Sequence, residues 1–135
     1  MGRWRDGRAK LVVHADGHGE GHGEEAEGSA VTVPLELATS FRARTRGLLG
    51  RDGIDGAILL SPANNIHTFR MRFAIDVACL DRHLNVLSVQ TVKPGRLTLP
   101  RLRARHVLES DAGTMAGWGL RPGARVTVEE STRLS

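Results

Sequence analysis

Hydrophobic and polar residues alternate along several short stretches of this chain, and the alternation predicts strands. In VTVPLELA, Val31, Val33, Leu35 and Leu37 fall on one side, while Thr32, Pro34, Glu36 and Ala38 fall on the other. That is the period of a half-buried strand. Pro34 cannot donate a ladder hydrogen bond, so this strand is expected at an edge or at a bulge. LVVH (Leu11 to His14) is a shorter candidate before it. GAILLS (Gly56 to Ser61) is a further strand candidate. Phe73, Ile75, Val77 and Cys79 then share one face of a further strand, DRHLN turns the chain, and NVLSVQTVK supplies its antiparallel partner. HVLES and RVTVEE, with Val126 and Val128 on one face, complete the set.

Two stretches have helical character instead. In TSFRARTRGLLGRDG, Thr39 or Ser40 can cap a helix with Phe41, Leu48 and Leu49 on its apolar face. Gly47 would lie inside that helix and implies close backbone packing, and Gly50 and Gly53 would end it. Later, Asp111 is placed to cap AGTMAGWG, where Met115 and Trp118 are three positions apart. Six or so short strands and two short helices predict an α+β domain: a compact, barrel-like, mostly antiparallel sheet.

At 135 residues the chain suits one domain with one core. Residues 1–10 read as a flexible basic tail, 11–130 as the domain and 131–135 as a second tail. Aromatic residues are scarce, so Leu, Val, Ala and Ile must build the core. The single Cys79 cannot form an internal disulfide and lies in an apolar run, which points to a reducing compartment and a buried role. No apolar run approaches the roughly 18 residues that cross a membrane, and the N-terminus lacks the apolar segment of a signal peptide. The expectation is a cytoplasmic monomer without a membrane partner. The net charge of +4 is almost wholly arginine, since Lys10 and Lys93 are the only lysines.

The most conspicuous stretch is HADGHGEGHGEEAEG, where His14, His18 and His22 recur every fourth residue. On a helix they would align, but five glycines from Gly17 to Gly28 oppose a helix. No H-E-x-x-H or paired-cysteine spacing accompanies them. The stretch reads as a hairpin insertion over residues 14–29, and neither a metal nor a cofactor is expected. No nucleophile elbow, phosphate-binding loop or dinucleotide fingerprint is present.

The polar residues of HTFRMRFAIDVACLD stand out more quietly. His67, Thr68 and Arg70 precede an apolar strand that Asp76 interrupts, and Glu109 interrupts HVLES in the same way. A carboxylate buried near an arginine would be ionised and held by charge-assisted hydrogen bonds.

ATSFRARTRGLLGR, GAILL, HTFRMRFAIDVACLD and HVLESDAGTMAGWGLRPGARVTV, in this order, are similar to the motifs of the domain of unknown function 192 (DUF192). The resemblance covers about residues 31–130. The matching positions are Arg46, Gly47 and Leu48; His67, Thr68, Met71, Arg72 and Asp76; Glu109 and Gly113; and Gly123. Leu49 stands where Met is usual, Ala74 where Pro is usual, and Ala124 where Asp is common. The resemblance implies a compact β-rich fold and supplies no activity. Residues and resemblance together suggest a binding or accessory module for a small anionic ligand or a peptide. Its candidate site comprises Arg46, His67, Thr68, Arg70, Met71, Asp76 and Glu109. One alternative is nucleic-acid association through Arg42, Arg44, Arg96, Arg101, Arg103 and Arg105. The other is an acid–base enzyme pairing His67 with Asp76 or Glu109.

Overall fold

Apolar residues at almost every position of two short segments, 57–60 and 75–80, demand cover on both faces, and both segments lie inside one sheet. The computed structural model describes residues 4–14 and 30–130. In chain order the elements are β1 (Gly7–His14), β2 (Ala30–Ala38), α1 (Phe41–Arg46), β3 (Ala57–Leu60), β4 (Ile75–Leu80), β5 (Val86–Val92), β6 (His106–Asp111), α2 (Thr114–Trp118) and β7 (Arg125–Glu130). The seven strands lie in the order β5-β4-β6-β3-β2-β1-β7. Among the described residues, only β2 and β3 pair in parallel. The sheet curls until its two edges touch: Val86 N–H donates to Ala124 O at 2.8 Å and Val126 N–H to Leu84 O at 3.1 Å. The result is an α+β half-barrel with two short helices, the class expected from the alternation.

Alternation in the strands divides the core in two. Leu11, Leu35, Leu59, Leu80, Leu108 and Met115 meet on the face enclosed by the curl. Ile58, Ile75, Val77, Cys79 and Val107 point the other way, where Leu48, Ile66 and Met71 cover them. Cys79 is buried, as its apolar setting predicts.

Several local expectations need correction. Residues 7–10 are not tail but the start of β1, where Gly7 pairs with Leu37 and Lys10 with Pro34. Just before them, Asp6 Oδ1 accepts the N–H groups of Thr39 and Ser40, at 2.5 and 2.9 Å. Hydrogen bonding from Ser40, through its side chain and its backbone, and from Thr39 holds the Asp6 carboxyl well below the usual carboxylate range.

Strand β2 is internal rather than an edge, despite Pro34. A strand residue turns its N–H and C=O to the same side, and Pro34 O faces Gly56, just before the β2–β3 ladder begins at Leu35 and Ala57. The missing donor therefore has no ladder position to fill. Gly56 is required there: its φ is +81°, and a Cβ would lie 2.1 Å from Pro34 O.

Helix α1 is shorter than its pattern suggested. Ser40 Oγ accepts Ala43 N–H at 3.1 Å as the N-cap, and Gly47, with φ +46°, ends the helix instead of lying within it. Phe41 is 76% exposed rather than part of a packed face. Asp111 does not cap α2 either. Its carboxylate accepts Ile54 N–H at 3.1 Å, and the α2 start is held by Asp76 from β4. Asp76 Oδ2 accepts Gly113 N–H at 2.9 Å and Met115 N–H at 3.1 Å, while Oδ1 accepts the Thr91 hydroxyl at 2.7 Å.

His14 ends β1 exposed, beside Thr127 Oγ1 at 2.9 Å. His18, His22 and the rest of the proposed insertion lie outside the described residues.

The Asp76 contacts predict a clear stability effect. Asp76→Ala leaves buried donors at the α2 start without their acceptor and should cost about 2–4 kcal/mol. Urea unfolding of the variant beside wild type measures this.

Candidate functional site

Glu109 reaches its position through strand alternation. β6 runs between β3 and β4, with Glu109 opposite Ile58 on one side and Val77 on the other. Val107 and Glu109 therefore share the face opposite Leu108 and Ser110. Only 5% of Glu109 is exposed. Among the described residues its carboxyl group has neither a hydrogen bond nor an ion pair. Burial alone pushes its pKa from 4.5 up to about 7.

The group opens onto a cavity of about 330 Å³ between the end of α1, the end of β3 and residues 62–71. Leu48, Leu60, Ile66 and Met71 give it apolar walls. Gly47 brings the chain close to the carboxyl group: a Cβ there would stand 3.9 Å from Glu109 Oε1. Arg44, Arg46, Asn64, Asn65 and His67 supply the polar lining. Arg44 is braced toward Thr39 O at 3.3 Å and Pro62 O at 3.4 Å. Arg46 is exposed and has no side-chain partner among the described residues. The His67 ring stacks on Phe69 with centroids 4.9 Å apart. Its Nδ1 accepts Phe69 N–H at 3.2 Å, so a neutral ring carries its proton on Nε2.

The candidate residues thus separate into two groups. Arg46, His67, Met71 and Glu109 line one cavity. Asp76 lies on the opposite face of the sheet with its carboxylate already engaged. Thr68 is buried as a backbone brace, donating to Lys93 O at 2.7 Å and accepting Arg96 N–H at 2.8 Å. Arg70 has a left-handed φ of 66°, is exposed, and lies outside the cavity lining. An acid–base pair of His67 with Asp76 has no geometric basis, whereas His67 and Glu109 share the cavity. Sequence reasoning passed over Asn64 and Asn65, and read Arg44 only as part of a basic surface.

With the geometry established, comparison with known proteins gives the family. The model of DUF192, described as "Uncharacterized ACR", matches residues 23–128. The chain belongs to the DUF192 family. This DUF192 chain is 33% identical over 84 residues to a UPF0127 protein of Pyrococcus horikoshii, an alignment covering 58% of this chain and 73% of that protein. It is also 33% identical over 95 residues to a UPF0127 protein of Thermococcus gammatolerans, covering 66% of this chain and 62% of the relative. Two crystal structures share the DUF192 architecture seen here. A Sinorhizobium meliloti protein, described as a "putative transcription regulator", superposes with a TM-score of 0.74 at 18% identity, over 94% of this chain and 98% of that one. A protein of unknown function from Novosphingobium aromaticivorans gives 0.69 at 19% identity, over 87% and 83%. At these identities the likeness is one of fold. Among the described residues of this DUF192 domain, no helix is long and apolar enough to cross a membrane.

Glu109 also sets a pH dependence of stability. A carboxyl group whose folded pKa exceeds its unfolded value favours folding while protonated. It opposes folding progressively as pH rises from 4.5 through about 7. Full ionisation costs the folded state about 3 kcal/mol. Glu109→Gln should therefore leave stability near pH 4 little changed and raise it relative to wild type at pH 8. Denaturant titrations at both pH values measure the difference, and parallel pH profiles for the two proteins would refute the assignment.

Proposed function

We propose that this domain is a binding module that takes a small anionic ligand in the Glu109 cavity. The observation that carries the reading is a buried carboxyl group, without a partner among the described residues, facing a cavity that Arg46 borders. Native proteins seldom bury a polar group without a partner, and such groups concentrate at functional sites. Around neutral pH a substantial fraction of Glu109 is protonated and can donate its O–H to an anionic oxygen. Arg46 then supplies the balancing charge, the apolar walls of Leu48, Ile66 and Met71 take the ligand's carbon skeleton, and Asn64, Asn65 and His67 provide further polar contacts. The volume lies in the range of small-molecule sites. A cytoplasmic setting remains part of this reading, on the chemistry of the single buried Cys79.

Thermal-shift screening with small carboxylates and phosphate esters at pH 6 and pH 8, followed by calorimetric titration of the hits, tests the proposal. Ligands should bind more tightly at pH 6. Glu109→Gln should flatten that pH dependence, because an amide donates at both pH values. Arg46→Ala should weaken binding by roughly tenfold, equivalent to about 1.4 kcal/mol. Arg72→Ala, at an exposed pair with Asp52 outside the cavity, should change nothing. Binding indifferent to both Glu109→Gln and Arg46→Ala, or no hit at either pH, would defeat the reading.

A further inference from the structure

No acidic residue occurs anywhere from Arg82 to Leu108, a span that carries Arg82, Lys93, Arg96, Arg101, Arg103 and Arg105. The loop within it, residues 93–105, also presents three of the protein's most exposed large apolar side chains: Leu97 at 61%, Leu99 at 83% and Leu102 at 91%. This exposure does not come from slack in the loop. Thr68 N–H donates to Arg96 O at 2.8 Å, Thr98 N–H to Ile66 O at 2.9 Å, and Arg105 N–H to Leu80 O at 2.8 Å. Thr98 Oγ1 turns inward to accept Ile66 N–H at 2.9 Å, so its neighbours Leu97 and Leu99 turn outward. Ala104 anchors the far end in the core. The fold holds leucines in water at fixed positions, with arginines between them. None of Arg96, Arg101, Arg103 or Arg105 has a carboxylate partner among the described residues.

We propose that this leucine–arginine loop docks the domain on the surface of an anionic lipid bilayer. Separate, protruding leucines suit the interfacial region of a bilayer, which admits apolar side chains one at a time. A rigid protein partner would need a matching hollow for each. Arginines among them meet the anionic headgroup layer, where each basic residue strengthens binding by roughly fivefold. Beside Leu102 lies a cleft of about 340 Å³ where Arg82, Arg103 and Arg105 face a single acid, Asp81. The Asp81 carboxylate is already taken up by the N–H groups of His83 and Asn85, at 2.8 and 3.0 Å, and Arg82 Nε donates to His83 Nε2 at 3.3 Å, leaving Arg103 and Arg105 for a headgroup phosphate. Peripheral attachment of this kind requires no spanning helix. It also accounts for the leucines, which a phosphate backbone would not use, and the loop has no aromatic side chain on which bases could stack.

Vesicle co-sedimentation with the full chain tests the proposal. The probes are vesicles of pure phosphatidylcholine and of equal parts phosphatidylcholine and phosphatidylglycerol. The protein should sediment with the anionic vesicles and not with the neutral ones, more weakly as salt is added. L97S/L99S/L102S and, separately, R96Q/R101Q/R103Q should each lower the vesicle affinity by at least roughly tenfold. All six residues are exposed, so both variants should melt like wild type. Tryptophan emission of L99W should shift to the blue on the anionic vesicles. Failure to bind anionic vesicles would overturn the proposal, as would a leucine variant that binds like wild type. Duplex DNA or RNA bound more tightly than the vesicles, with affinity indifferent to the leucines, would reassign the surface to nucleic acid.

Discussion

Because β3, β4 and β6 are covered on both faces, each polar side chain they carry must find its partners inside the protein or remain unsatisfied. Three such residues occur in β4 and β6: Asp76, Glu109 and Ser110. Two belong to the network at the start of α2. Asp76 receives two backbone N–H groups and a hydroxyl, and Ser110 accepts the Thr114 hydroxyl at 2.8 Å. Glu109, one position from Ser110 but on the other face, receives none of this. The same double burial that makes the centre of the sheet stable thus produces a structural carboxylate on one face and a chemically available carboxyl group on the other.

The two carboxyl groups would look alike from composition and spacing, and their surroundings separate them. Asp76 is engaged by three hydrogen-bond donors, while burial among apolar walls pushes Glu109 toward neutrality. Glu109 consequently stays close to half protonated near neutral pH, with a pKa of about 7. Keeping it in that state costs stability that an apolar residue at the same position would not. The cavity beside it gives the cost a use, because a ligand can supply the partner that the protein withholds.

Much of the architecture was legible in the sequence, because strand alternation and turn residues are local signals. VTVPLELA showed its buried side correctly, and Ile75, Val77 and Cys79 do share a face. What failed depended on contacts distant in sequence. Pro34 suggested an edge strand, but its missing donor falls where the neighbouring ladder has not begun. Gly47 read as a packing glycine within a helix and is instead the turn that ends it. Asp111 stood in the right place to cap α2, yet Asp76 arrives from another strand to do so. At the site, His67 and Glu109 were legible as polar positions beside apolar ones, and Arg46 and Met71 through the DUF192 resemblance. Thr68 carried the same signal and proved to be a backbone brace. The cavity wall at Asn64 and Asn65 was not legible, since residues 62–71 contain no helix or strand whose period could mark a face.

That irregular segment joins two parts of the molecule. Ile66 closes the cavity with its side chain while its backbone receives Thr98 N–H and donates to Thr98 Oγ1. His67 lines the cavity and bridges to Leu97. Asn64 does both as well, accepting Arg101 N–H at 3.2 Å. One short run of chain is therefore the inner wall of the cavity and the scaffold of the leucine–arginine loop. Substitutions within about 7–10 Å of one another that share partners are not expected to add. Replacing Thr98, which is partly buried and lies outside the cavity lining, should disturb both surfaces at once. Replacing Leu99 or Leu102, whose side chains stand free in solvent, removes a single surface and leaves the cavity wall in place.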